Sequence, residues 1–158
     1  MEIERKFLCT KLPDLSGHTP IHTERYYLPS LLSQEKRIQK KNNIYELEEL
    51  NDNSKLSRTT DKKEIDIEEY EKLKRESVGP IIRDSYNLLD DPKITIQIYQ
   101  GDFKGLIRIE VEFESEEEAN SFEPLNWFGE EITESPLGRD SKLIKLSHEE
   151  FEKLIYVN

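Results

Sequence analysis

Along most of this chain, apolar side chains alternate with polar ones. Residues 2–8 set Ile3 and Phe7 opposite Glu2, Glu4 and Lys6, a period of two that predicts a strand with two chemically different faces. Similar strands are predicted at 23–28, at 34–40 with Glu35, Arg37 and Gln39 on one side, at 44–50, in a polar stretch at 55–65, and at 81–89. At 94–99 Ile94, Ile96 and Ile98 oppose Thr95 and Gln97, and at 106–113 Arg108, Glu110 and Glu112 oppose Ile107, Ile109, Val111 and Phe113. Asn42-Asn43 and residues 51–54 read as turns. The period changes at 66–77, where Ile67, Tyr70 and Leu73 recur three apart before a Gly79-Pro80 stop, and this predicts an amphipathic helix. Ser115 and Ser147 each precede a glutamate by three residues, Glu118 and Glu150, the signature of a capping box. Ala119, Phe122 and Leu125 follow the first, and Phe151, Leu154 and Ile155 the second, so two further helices are expected. The pattern is α+β and dominated by strands.

Composition changes this picture little. A chain of 158 residues fits one domain spanning 1–158, with 34% hydrophobic residues to build a core and 36% charged residues for its surface or a cavity. The formal net charge of -11 argues against binding nucleic acid or an anionic membrane through the general surface. Any anionic ligand must therefore be held locally. Cys9 is the single cysteine, so no intrachain disulfide forms. Neither a secretory apolar run nor a stretch of about 20 apolar residues is present, and the expected location is cytoplasmic.

Two strands carry paired carboxylates on one face: Glu2 with Glu4, and Glu110 with Glu112. Oxygen ligands two apart on a strand share one space and suit Mg²⁺ or Mn²⁺; a solvated strand face is the plainer reading of either pair alone. The polar faces also carry Lys6, Arg37, Arg58, Arg83 and Arg108, with Lys142 nearer the C-terminus. Closing such faces inward encloses acid and base together, which is costly unless ligands, metals or mutual pairing neutralise them. A polar tunnel would resolve this cost, its basic side taking phosphate oxygens and its acidic side the bridging metal.

The run Glu2-Ile3-Glu4-Arg5-Lys6-Phe7-Leu8 resembles the Glu-x-Glu-x-Lys signature of the CYTH domain, the triphosphate tunnel metalloenzymes. Ile109-Glu110-Val111-Glu112-Phe113 and Trp127-Phe128-Gly129-Glu130-Glu131-Ile132-Thr133 are similar to the family's short bacterial members, in the same order over nearly the whole chain. The resemblance implies a closed eight-stranded antiparallel β-barrel with flanking helices, a tunnel that takes a linear triphosphate with Mg²⁺ or Mn²⁺. It implies Glu2, Glu4, Glu110 and Glu112 as metal ligands and Lys6, Arg37, Arg58, Arg83 and Lys142 as phosphate contacts. Tyr27 matches a tyrosine proposed as proton acceptor, with a tunnel-wall aromatic as the alternative reading, and Lys6 joins it as a catalytic candidate.

The chain departs from that pattern at several inward positions. Gln39 stands where a basic residue is usual, Leu50 where a phosphate-binding lysine is usual, Thr60 and Lys62 where acids are usual, and Ser85 where an arginine is usual. The ligand set is thinned. The leading expectation is a metal-dependent hydrolase of tripolyphosphate or a nucleoside triphosphate. The alternatives are a non-catalytic module that binds polyphosphate or nucleotide, and an adenylate cyclase. Its partner would be a small molecule, and an outer apolar face offers a surface for a homodimer.

Overall fold

The computed structural model describes residues 1–156. Its strands are β1 (Glu2–Cys9), β2 (Ile21–Leu28), β3 (Gln34–Lys41), β4 (Ile44–Asp52), β5 (Ser57–Ile65), β6 (Val78–Asp90), β7 (Lys93–Gln100), β8 (Ile107–Glu112) and β9 (Phe128–Glu131). The helices are α1 (Ile67–Lys74), α2 (Glu116–Ser121), α3 (Asp140–Leu143) and α4 (His148–Tyr156). Neighbours run β5-β4-β3-β2-β6-β7-β8-β1, and a pairing of β1 with β5 closes the ring. Every pairing is antiparallel. The expected eight-stranded barrel is therefore present, with β9 as an additional strand. The closing contact is short, two residues on each strand, and among the described residues 59–65 of β5 pair with β4 alone.

One edge of β1 is shared. Glu2 and Ile3 face Arg58 and Ser57 of β5, whereas Phe7 and Cys9 face Glu131 and Phe128 of β9. The other edge follows β8, with Glu4 opposite Glu112 and Lys6 opposite Glu110.

Alternation sends the charged side chains inward and the apolar ones outward, so the core lies outside the barrel wall. Ile3, Phe7, Ile94, Ile96, Ile109 and Val111 pack beneath Phe113, Ala119, Phe122 and Trp127. On the opposite wall Ile38 and Ile65 meet Tyr70 of α1. A third cluster, Tyr27, Ile81, Tyr99, Phe103 and Leu106 with Leu137, Leu143 and Phe151, gathers barrel and C-terminal residues together. At roughly 25 cal/mol per Å² of apolar area buried, these covered walls supply the main driving force for folding.

The helix starts follow the sequence. Asp66 caps α1 by accepting from Glu69 N, Ser115 Oγ accepts from Glu118 N, and Ser147 and Glu150 cap α4 reciprocally. Five elements differ. Gly79-Pro80 is not a stop: it lies inside β6, where a Cβ on Gly79 would stand 2.8 Å from the Arg25 carbonyl oxygen. Glycine lets β6 approach β2 there. The second helix ends at Ser121 because Phe122 turns extended and enters the apolar cluster. Residues 128–131 and 136–143, for which no element was expected, form β9, a 3-10 turn (Pro136–Gly138) and α3.

Candidate functional site inside the barrel

The barrel encloses a cavity of about 170 Å³. Its lining is more basic than acidic: Lys6, Arg25, Arg37, Lys41, Arg58, Lys62, Arg83, Lys93, Arg108 and Arg139 face Glu2, Glu4, Glu48, Glu110, Glu112 and Asp140. A chain with a net charge of -11 thus keeps a cationic interior. Half of these groups are buried, where charges survive only if paired or ligated.

The acidic part of the cavity comes from β1 and β8. Carboxylate oxygens of Glu4, Glu110 and Glu112 all lie within 4.8 Å of one another. Lys6 Nζ stands 3.0 Å from Glu4 and 3.9 Å from Glu110. Burial opposes the ionisation of Glu4, yet Lys6 and Arg58 hold its carboxyl well below the usual carboxylate range. Burial, then the neighbouring Glu4 charge, push Glu110 up to about 7, and burial also raises Glu112. Glu4 and Glu110 therefore titrate as a pair that retains a proton near neutrality. Burial lowers the Lys6 pKa against the pull of Glu4. Glu2, the fourth expected ligand, turns to Arg58 at 3.7 Å and is not part of the three-carboxylate group.

The basic part forms around Asp140, at the start of α3. Its carboxylate accepts from Tyr99 Oη at 2.6 Å and Arg25 Nη1 at 2.8 Å, and pairs with Arg83 Nη1 at 3.0 Å and Arg108 Nη2 at 3.3 Å. Those partners come from β7, β2, β6 and β8. Adjacent Arg139 reaches Asp52 on β4 and Glu35 on β3, and Ser141 donates to Glu35. Residues 139–141 thus lie across one end of the barrel, with Leu137 and Leu143 anchored in apolar packing on either side. Burial disfavours the Asp140 charge, but Arg83, Arg108 and Arg25 hold its pKa well below the usual carboxylate range.

Between the two parts, Arg37 pairs with Glu48 at 3.4 Å and Glu35 at 3.7 Å, and Arg58 with Glu35 at 3.1 Å and Glu4 at 3.6 Å. Arg37 Nε, Arg83 Nε, Glu48 Oε1 and Thr60 Oγ1 are buried without a hydrogen-bond partner. Native interiors rarely tolerate such orphans, and here they mark positions for a ligand or water.

Of the residues expected from the sequence, Glu2, Glu4, Lys6, Arg37, Arg58, Arg83, Glu110 and Glu112 all line the cavity. Lys142 does not. It is exposed on α3 in an outer groove, because the turn that aims Asp140 inward rotates Lys142 away, and Arg139 is the cation this segment contributes. Tyr27 packs in the apolar cluster, its hydroxyl buried without a partner and its pKa raised by that burial. It lines the outer groove and not the polar cavity.

Several departures prove to be accommodated. Gln39 Oε1 accepts from Arg25 Nε and Nη2, at 3.0 and 2.7 Å, and Gln97 Oε1 accepts from Arg108 Nε at 2.7 Å. Each neutral amide orients an arginine without cancelling its charge. Lys62 lies at the lumen beside Glu46, partly exposed. The sequence reading missed the roles of Arg25, Arg139 and Asp140; its one available signal was the Arg139-Asp140 pair set between buried Leu137 and Leu143. The 127–133 motif is structural: Ile132 N donates to Lys6 O, Lys6 N donates to Thr133 Oγ1, and Glu131 accepts from Arg5 at 2.7 and 3.0 Å. It fixes β1, and so the carboxylate cluster.

A closed antiparallel barrel with apolar walls outside and opposed acidic and basic groups inside belongs to the tunnel class of β-barrels. Comparison with known proteins agrees. The chain is 34% identical over 136 residues to an inorganic triphosphatase of Nitrosomonas europaea, covering 84% of this chain and 89% of that one. It superposes on the crystal structure of the inorganic triphosphatase NE1496 with a TM-score of 0.65 at 29% identity, over 93% of this chain and 96% of that one. HpAC1 from Hippeastrum, whose structure reveals a dominant triphosphatase activity, shares the fold at a TM-score of 0.55 and 15% identity, over 76% of this chain and 83% of that one. No protein-family model matches the chain. This chain belongs to the family of the Nitrosomonas inorganic triphosphatase. Among the described residues, no helix is long and apolar enough to cross a membrane.

Proposed function

We propose that this protein is a metal-dependent hydrolase of a linear triphosphate, a CYTH-type triphosphate tunnel enzyme that binds its substrate inside the barrel. The observation that carries this reading is the juxtaposition, within one cavity, of a carboxylate cluster that a cation would relieve and a set of lysines and arginines that outnumbers the lining carboxylates. The similarity to inorganic triphosphatases supports it.

Glu4, Glu110 and Glu112 fit a hard divalent cation: all donors are carboxylate oxygens, and the burial and mutual repulsion that together raise the Glu110 pKa would be relieved by one. A bound Mg²⁺ or Mn²⁺ would neutralise phosphate oxygens and lower the pKa of a coordinated water. Arg37, Arg58 and Arg83 would hold the phosphoryl oxygens in place and stabilise their charge as a water oxygen adds to phosphorus and the anhydride bond breaks. Lys6, beside Glu4 and with a pKa lowered by burial, would give a proton to the departing phosphate oxygen. Tyr27, whose ring joins the apolar cluster while its buried hydroxyl lies within electrostatic reach of Arg25, Arg37 and Asp140, suits both a wall residue and a proton acceptor. The internal ion pairs of Arg37, Arg58 and Lys6 favour a second reading, a module that binds polyphosphate without turning it over.

Phosphate release from tripolyphosphate and from ATP, measured with Mg²⁺ or Mn²⁺, separates the two. Metal-dependent release that falls at least about a hundredfold in Glu4→Gln and Glu110→Gln is the result expected of the hydrolase. Calorimetric binding of tripolyphosphate without release would establish the binding module, and cyclic nucleotide formed from ATP would redirect the assignment to a cyclase.

A further inference from the structure

Asp140 is bound as a phosphoryl group would be. A buried acceptor is met by a tyrosine hydroxyl and three guanidinium groups from four strands, at 2.6 to 3.3 Å. Arginine groups converging on one small anion are the usual protein device for a terminal phosphate. Here the anion belongs to the protein, and one carboxylate serves three cations. We infer that Asp140 is a specificity-determining residue: its carboxylate occupies the innermost anion position of the tunnel and sets how deep a phosphate chain can enter. The inference rests on the reading of the tunnel as a phosphate-chain site.

The geometry supports a depth limit. Glu110 of the carboxylate cluster and Arg108 of the Asp140 cluster are two residues apart on β8, a rise of about 6.7 Å. A short phosphate chain held at the carboxylates therefore ends against the arginines. The same guanidiniums keep unused donors toward the cavity, Arg83 Nε being buried without a partner. A terminal phosphoryl group can share Arg25, Arg83 and Arg108 with Asp140 but cannot displace it, since α3 carries Asp140 and Leu143 of that helix is fully buried. Gln39 and Gln97 keep Arg25 and Arg108 turned to this position without neutralising them.

The test is calorimetric binding of tripolyphosphate and tetrapolyphosphate, with Mn²⁺, to the full chain and to Asp140→Asn and Asp140→Ala. The affinity ratio of tetrapolyphosphate to tripolyphosphate is expected to rise about tenfold or more in Asp140→Ala, which vacates the position, and less in Asp140→Asn, which keeps its shape. Because Asp140→Ala strips three buried cations of their partner, its melting temperature is measured with and without inorganic phosphate or formate. A rise in the variant larger than the one the parent chain shows with the same anion is the expected rescue of a vacated anion position. If the parent chain binds tripolyphosphate but the ratio is unchanged in the folded variants, or no small anion restores Asp140→Ala, Asp140 is a structural counter-ion and the depth limit is wrong. If the parent chain binds neither polyphosphate, the reading of the tunnel falls, and the depth limit with it.

Discussion

The two halves of the cavity are built in opposite ways. Glu4, Glu110 and Glu112 come from two adjacent strands, and their carboxylates crowd one another with Lys6 as their near cation. Around Asp140 the imbalance is reversed, since three arginines from separate strands share one carboxylate supplied from the chain's last quarter. The first half is short of positive charge and the second short of negative charge. Each imbalance is tolerable in isolation only through a shifted pKa or a shared hydrogen bond, and under the proposed function both would be relieved by a metal-bound anion lying between them. Stability and ligand binding should therefore respond oppositely to mutation in the two halves.

The largest effect is expected at Asp140. Asp140→Ala should lose about 3–5 kcal/mol of unfolding free energy in urea titration, because it leaves buried guanidiniums unpaired. By contrast, Glu110→Gln should be neutral or stabilising in metal-free buffer, since the pair it belongs to already repels, while Mn²⁺ affinity falls at least about tenfold by calorimetry. A loss of several kcal/mol in Glu110→Gln would break the comparison.

The pH dependence separates the halves by sign. Asp140 has a folded pKa below its unfolded one, so its stabilisation is present above the unfolded value and is lost as pH falls through the folded one. Glu110 is raised, from an ordinary 4.5 to about 7, so the stability linked to it is full below 4.5 and is lost as pH climbs through 7. Melting temperature in metal-free buffer should thus decline between those pH values, less steeply in Glu110→Gln, and Mn²⁺ should restore it on the alkaline side.

Smaller effects test what connects the halves. Thr133→Val removes the side chain that accepts from Lys6 N and should cost about 1 kcal/mol, with a modest weakening of Mn²⁺ binding as β1 loosens. Lys142→Ala should change tripolyphosphate affinity by less than twofold, because that ammonium stands outside the barrel.

What could be read from the sequence follows the same division. Glu2, Glu4, Lys6, Glu110 and Glu112 declare themselves by alternation, because a strand fixes the face of every second residue without knowledge of the fold. The shared face of Arg37, Arg58 and Arg83 was legible for the same reason, whereas closure of the barrel came with the family resemblance and not with the alternation. Asp140 and Arg139 were not: Arg139 joins a 3-10 turn to the four-residue helix that Asp140 opens, there is no period to read, and their direction is set by tertiary packing of Leu137 and Leu143. Lys142 was misplaced there for want of a phase. β9 escaped because four residues of Phe-Gly-Glu-Glu do not alternate, and only β1 makes them a strand.

The shared edge of β1 has a consequence for the order of assembly. β1 is the earliest barrel strand to be synthesised, yet its partners are β5, β8 and β9, and the backbone of Lys6 is held by Ile132 and Thr133. During translation β2 to β5 can pair as successive hairpins while β1 waits, its apolar side uncovered until residues 107–131 arrive. Such a topology closes long loops late, folds slowly, and leaves one sticky strand in search of its neighbours. The segment that completes the active cavity is thus also the latch that ends the chain's exposure to aggregation.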